Sequence, residues 1–341
     1  MKNLSLSVFV ILLLFSSCQF FSKSKDESKE TAKEETIDSA TVGGITKAIA
    51  LDSLNSDLYV KRATIYEANE DYGNAIKDMH RAMMLDSNYV PYYKYAAELI
   101  TKSGDPLRAI AFLERAAKMD TADADIYAMM GKYRFIMREY DRAQLLYAKA
   151  LSIDKYNPKV HFLRGITYKE MEDTAKAISA FQTAVEQDPN YYDAYIQLNL
   201  LLTSKKNNAL AQKYLDNAIK VKPKSEEALY SKGYSLLENK QYAEAQQIFR
   251  QIVDINHQND EAVYALGVAY LMQDSIVEAD KMFSLAIQLN PTYAEAQYKK
   301  GVCREALGKK SEAKMHYSNA LNLKPTYKPA KDALDRLNKN S

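Results

Sequence analysis

Small residues recur along this chain at a constant step of 34 residues, without insertion or deletion, and this period constrains the fold more than any other feature. The column reads Ala63, Ala97, Gly131, Gly165, Asn199, Gly233, Gly267 and Gly301. Self-similarity at a fixed period indicates a repeat architecture, in which each unit buries its apolar face against its neighbours.

Three further columns keep the same step. Alanine fills all eight places of the first, at Ala75, Ala109, Ala143, Ala177, Ala211, Ala245, Ala279 and Ala313. A bulky column follows at Met79, Leu113, Tyr147, Phe181, Leu215, Phe249, Phe283 and Tyr317, and a mostly alanine column at Ala82, Ala116, Ala150, Ala184, Ala218, Ile252, Ala286 and Ala320. Two helices joined by a short turn pack closely when small residues meet at their crossing, so the period predicts a helix-turn-helix unit.

The pattern resembles the tetratricopeptide repeat, which has a small residue at position 8, Ala at 20, a large apolar residue at 24, Ala at 27 and Pro at 32. The resemblance implies an all-α fold, a right-handed superhelical solenoid of about eight repeats over residues 56–327. Residues 38–55 resemble a degenerate N-terminal half-repeat, and residues 328–341 a polar C-terminal capping helix. Asn199 is the clear breach of the small column, and we expect repeat five to be locally looser there.

The first 18 residues have the features of a signal peptide. The apolar run from Leu4 to Phe15 is too short to span a membrane. Ser16, Ser17 and Cys18 resemble the lipobox of bacterial lipoproteins, which implies lipidation of Cys18. An ordinary secretory signal is the alternative.

Residues 19–37 predict a flexible charged tether, because such a composition buries too little apolar surface to order the chain. Gln19, which is not the Asp associated with inner-membrane retention, implies an outer-membrane lipoprotein. Both the periplasmic and the surface-facing orientation stay open.

Composition and motifs favour a protein without catalysis. The formal net charge is +2, which provides no electrostatic footprint for nucleic acid. The four histidines lie at unrelated repeat positions, and no phosphate loop or nucleophile elbow is present. Cys303 lies in a mostly apolar column and is expected to be a small buried residue. We therefore predict no enzyme activity, no cofactor, no metal and no nucleic-acid partner.

In the resembled family, positions 2, 5, 9 and 12 of the first helix line a concave groove. Across repeats four to eight these positions are largely apolar and aromatic: Phe162, Ile166, Ile196, Leu200, Tyr230, Tyr234, Leu237, Tyr264, Val268, Leu271 and Tyr298. Acids at position 2 form a rim, at Asp193, Glu227, Glu261 and Glu295. The alternative is that adjacent helices bury these side chains. The pattern predicts a protein partner, a peptide or helix with apolar and basic residues.

These features together predict a membrane-anchored, noncatalytic protein-interaction scaffold of the bacterial cell envelope. The alternatives are a glycan-binding or nutrient-binding lipoprotein and a regulator of cell-wall synthesis. The unbroken period leaves no insertion for a sugar platform, and the chain has no Trp. Lys94 is paired in its repeat with Glu98, so the Lys and Asn pair that clamps a C-terminal carboxylate in the family is missing.

Overall fold

A computed structural model describes residues 40–339, and within that range the chain forms eighteen α-helices and no strand. The predicted signal peptide (1–18), with its lipidation residue Cys18, and the predicted tether (19–37) lie outside the described residues. The helices are α1 Val42–Leu51, α2 Ser56–Ala68, α3 Tyr72–Leu85, α4 Val90–Lys102, α5 Pro106–Met119, α6 Ala124–Ile136, α7 Tyr140–Ile153, α8 Pro158–Glu170, α9 Thr174–Gln187, α10 Tyr192–Ser204, α11 Asn208–Val221, α12 Glu226–Glu238, α13 Tyr242–Ile255, α14 Asp260–Met272, α15 Ile276–Leu289, α16 Ala294–Ala306, α17 Lys310–Leu323 and α18 Lys328–Lys339.

The helix boundaries repeat with the 34-residue period. Counting positions from Ser56, the first helix of every repeat covers positions 1–13 and the second covers positions 17–30. Each helix packs on the next one along the chain, and the two helices within a repeat share the most extensive contacts. The fold is therefore an all-helical solenoid, as the period predicts. One helix, α1, precedes the first repeat, and another, α18, follows the last.

Each crossing within a repeat is built from a small residue facing a large one. A Cβ atom added to Gly131, Gly165, Gly233, Gly267 or Gly301 would lie 2.5 to 2.8 Å from a ring carbon of the aromatic residue at position 24 of the same repeat. The rings and the alanines around them are fully buried. Glycine at position 8 is thus required by the close approach of a ring.

The sizes of the two partners are matched from repeat to repeat. Glycine faces Tyr or Phe in five repeats, whereas Ala63 is paired with Met79 and Ala97 with Leu113. The larger Asn199 is paired with Leu215, which leaves space that a ring would fill. The larger residue at position 8 of repeat five is therefore offset by a smaller residue at position 24, on the other helix of the crossing.

The turn between the two helices of a repeat has one backbone conformation in all eight copies. Position 15 takes a positive φ, which is 56 to 61° at its six non-glycine residues and also positive at Gly104 and Gly308. The next N–H then reaches back to a carbonyl of the preceding helix, as from Gln241 to Leu236 O at 2.8 Å. This is the hydrogen bond of a Schellman turn, and it reverses the chain in few residues.

The solenoid is least tightly packed between repeats five and six. The interface of α11 with α12 is the sparsest of any consecutive helix pair in residues 40–339. Asn199 is nevertheless buried, and its Nδ2 donates a hydrogen bond to Ala211 O at 3.1 Å. The looser packing therefore lies at the boundary between repeats five and six, whereas the crossing of α10 with α11 that contains Asn199 is packed as extensively as the one in repeat two.

Two buried titratable side chains are structural. Cys303 is fully buried, and burial raises the pKa of its thiol to about 12, which keeps it protonated. His316 is also buried, with Nδ1 2.9 Å from Gln297 Oε1. Separately, none of the helices in residues 40–339 has the length and apolar character needed to span a membrane.

Gly165→Ala should lower the free energy of unfolding by about 1 to 3 kcal/mol, because the new methyl group overpacks the crossing at Phe181. Adding Phe181→Leu recreates the Ala and Leu pair of repeat two and should recover much of the loss. Chemical denaturation of the single and double variants, with Phe181→Leu alone as a control, measures the coupling. Additive losses would contradict the proposed size matching.

Acidification should destabilise the protein through His316. Burial, with nearby Lys300 and Arg304, lowers the pKa of His316, whereas Asp280 and Glu312 oppose this shift. The unfolded chain therefore takes up the proton first, so stability is lost as the pH falls through the ordinary histidine pKa of about 6.5.

The melting temperature should therefore fall between pH 7.5 and 5.5, and His316→Gln should make that fall shallower. His257→Gln is the matched control, because His257 is exposed in a turn. A slope that His316→Gln leaves unchanged would show that this histidine does not control the acid response.

Candidate functional site

The aromatic residues at position 5 rest on the buried rings at position 24. Ring centroids are 5.5 Å apart for Phe162 with Phe181, and 5.6 Å apart for Tyr264 with Phe283. Tyr298 lies 5.6 Å from Tyr317 in the last repeat. These side chains therefore form a second layer above the helix crossings and are half-buried.

A third aromatic layer comes from position 34, at the end of each repeat. Tyr293 lies 4.9 Å from Tyr264, Tyr327 lies 5.5 Å from Tyr298, and Tyr191 lies 5.1 Å from Phe162. In repeat six the residue at position 34 is Asn259, which accepts a hydrogen bond from the Tyr230 hydroxyl at 2.7 Å. Sequence analysis missed this layer, although tyrosine at position 34 accompanies an aromatic residue at position 5 in repeats four, seven and eight.

The predicted groove residues differ widely in exposure. Ile196 is buried, whereas Leu200 and Tyr234 are 49% and 47% exposed. The remaining eight are half-buried: Phe162, Ile166, Tyr230, Leu237, Tyr264, Val268, Leu271 and Tyr298. Neighbouring helices thus cover part of the apolar surface, but they leave position 9 of repeats five and six open.

Leu200 and Tyr234 both line a cavity of about 380 Å³ between α10, α11 and α12. Tyr234 is held from below by Phe249, with ring centroids 5.4 Å apart, and beside it by Tyr230 at 6.2 Å. The exposed ring is therefore packed against the fully buried Phe249 and the half-buried Tyr230. The structure brings these two predicted residues together with the buried Asn199.

The four predicted rim acids are not equivalent. Asp193, Glu227 and Glu261 are exposed. Glu295 is half-buried and forms an ion pair with Lys324, with Oε1 2.8 Å from Nζ. A cavity of about 790 Å³ contains Asp193 and Glu227 together with two lysines. Glu227 also accepts a hydrogen bond from the Tyr192 hydroxyl at 3.2 Å. Three of the four rim carboxylates are therefore exposed, and the fourth is neutralised by a lysine.

Tyr230, Tyr264 and Tyr293 are neutral at ordinary pH. Burial raises the pKa of Tyr230, Tyr264 and Tyr293 well above that of a free tyrosine, and Glu261 adds to the effect at Tyr230 and Tyr293. The surface therefore combines apolar rings, neutral hydroxyl groups and carboxylates. This combination suits a partner that has apolar and cationic side chains.

In the polar N-terminal repeats, charged side chains pair with each other. Lys94 Nζ lies 3.1 Å from Asp123 and 2.6 Å from Asp125, and Lys159 also contacts Asp125 at 3.1 Å. Such pairing leaves less of the charge available to a ligand. Among residues 40–339, no three His, Cys, Asp or Glu side chains are arranged to hold a metal ion.

Comparisons with known proteins agree with this geometry. Tetratricopeptide-repeat family models match residues 56–89, 158–191, 199–260, 236–300 and 295–340. The human tetratricopeptide repeat proteins 13 and 16 are each 24% identical, over 36% and 47% of this chain. The matched regions cover only 14% and 16% of those proteins, so the chain spans less than a fifth of their length.

A solved tetratricopeptide repeat protein from Parabacteroides merdae is similar as well. It is 18% identical with a TM-score of 0.45, and the match covers 73% of this chain and 98% of that one. The family models match in five places, and two of the matches, over residues 56–89 and 158–191, coincide with repeats one and four. The chain therefore contains tetratricopeptide repeats.

Proposed function

We propose that this protein is a noncatalytic scaffold that binds a helix or extended peptide of a partner protein along the groove of repeats four to eight. The observation that supports this most directly is the exposure of Leu200 and Tyr234 beside one cavity. Two large apolar side chains on adjacent first helices are costly to leave in water, and a partner segment would cover both.

The chemistry of the surface sets the properties of that segment. Tyrosine is favoured at binding sites because it combines a large rigid ring with a polar tip. Glu227 and Glu261 are exposed next to the aromatic layers. A segment with apolar residues and intervening lysine or arginine would complement them.

We also propose that a lipid on Cys18 anchors the scaffold to the outer membrane of a bacterial cell envelope. The support is the sequence around Cys18, and residues 19–37 would then act as the tether. Confinement near a membrane raises the local concentration of the solenoid for any partner held there, without adding a contact.

A photo-crosslinking amino acid in place of Tyr234 should capture a specific partner in cells, identified by mass spectrometry. The same substitution at Leu145 should not, since Leu145 is 71% exposed on a second helix, outside the groove. The partner, once purified, should bind the double variant Leu200→Ala/Tyr234→Ala at least tenfold more weakly, because exposed apolar anchors carry much of the binding energy. Equal capture at both positions, or unchanged affinity of a folded double variant, would contradict the groove proposal.

Cells fed an alkyne-tagged palmitate should label the native protein but not Cys18→Ser. The native protein should sediment with the outer membrane, and the variant should be released from it, because a thioether-linked lipid cannot form on serine. An unlabelled native protein would rule out this anchor and leave the groove proposal intact.

A further inference from the structure

The cavity between α10, α11 and α12 has a feature that no other repeat shares. Position 8 is Gly or Ala in seven repeats, and only in repeat five does it bear a polar side chain, that of Asn199. The cavity is lined by side chains of all three helices, among them Asn199, Leu200, Gln212, Tyr234, Ser235 and Glu238. It lies at the sparsest helix interface of the described chain.

One end of the Asn199 carboxamide is fixed by its partner. The carbonyl of Ala211 can only accept, so the group 3.1 Å from it is Nδ2, the donor. Oδ1 is the other end, and within residues 40–339 it accepts no hydrogen bond. Within the described residues, the fully enclosed side-chain atoms without a hydrogen-bond partner do not include Asn199 Oδ1. This oxygen is therefore accessible to solvent. Asn199, which is only 8% exposed, thus presents an unused acceptor on the wall of a cavity.

The other polar groups of the wall favour a donor as the occupant. Gln212 is already engaged, since its Nε2 donates to Asp216 at 3.0 Å and its Oε1 accepts from Ser235 at 3.3 Å. Glu238 is exposed on the same wall, and no ion pair joins it to another residue in the range 40–339. The lining contains one carboxylate and no Lys, Arg or His. Its net charge is therefore negative.

The apolar part of the wall suits a long aliphatic stem. Leu200 and Tyr234 line the cavity from two different helices, α10 and α12, and its volume of about 380 Å³ is large enough to admit a side chain. Lysine and arginine lay their methylene groups along apolar surface while the charged end reaches polar partners. A cation near the Tyr234 ring would gain further from the electrons of its face.

We propose that this cavity is the subsite for one long basic side chain, a lysine or arginine of the partner segment. The inference rests on the proposed function and adds a position to it. The charged end donates hydrogen bonds to Asn199 Oδ1 and to the Glu238 carboxylate, and the stem packs against Leu200 and Tyr234. In this arrangement Asn199 both contacts the bound basic side chain and packs at the helix crossing.

The test uses three fluorescein-labelled helical peptides of alanine and leucine that differ at one central residue, which is arginine, its neutral analogue citrulline, or norleucine. Fluorescence anisotropy at low salt should show the arginine peptide binding about tenfold more tightly than the norleucine peptide, as expected for hydrogen bonds that involve a charged group. In Asn199→Ala and in Glu238→Gln this preference should shrink to about threefold or less.

Asn199→Ala is a suitable variant because alanine already faces Met79 and Leu113 at the equivalent crossings, and a thermal melt verifies its fold. Glu278→Gln removes the same charge from an exposed site on α15 and should keep the preference.

Three outcomes would overturn the proposal. If the three peptides bind equally, the groove is supported and the basic subsite is wrong. If none binds, or if Glu278→Gln lowers the preference as much as Glu238→Gln, the cavity does not recognise a basic side chain. The crosslinking experiment at Tyr234 then tests the groove proposal independently.

Discussion

The contact between a small residue at position 8 and the large residue at position 24 determines the rest of this structure. In five repeats a ring carbon lies within 2.8 Å of where a glycine Cβ would stand, so the two helices approach so closely that a larger residue would displace the ring. The same arrangement fixes where position 5 points, since Tyr264 rests on Phe283 and Phe162 rests on Phe181. The surface that we propose for binding is therefore built on the packing that forms the repeat.

The sequence period was sufficient to predict the number and extent of the repeats, because a fixed step of 34 admits one register. It did not reveal the left-handed turn at position 15. Only Gly104 and Gly308 carry the residue type that signals such a turn, whereas Lys240 and Glu172 adopt it with a side chain. The neighbouring hydrogen bonds of the Schellman turn hold these residues where glycine is ordinarily preferred.

The exposure of individual groove residues could not be predicted from the sequence, for a different reason. Ile196 and Leu200 are both apolar and lie one turn apart on α10, yet one is buried and the other is half open to solvent. The difference depends on which neighbouring helices cover each position, and no residue type encodes that alone. A usable signal did exist at Asn199, since its partner at position 24 is Leu215, where five other repeats have an aromatic ring.

The sparse interface of α11 with α12 has a consequence for the solenoid as a whole. In a linear array, stability is a sum of terms for single repeats and for neighbouring pairs, so the weakest pair divides the chain into two blocks. Here five repeats lie on one side and three on the other. Leu200 and Tyr234 belong to different blocks but line the same cavity. A segment bound across both residues would hold the two blocks together. The partner would then determine how rigidly the two halves of the solenoid are coupled.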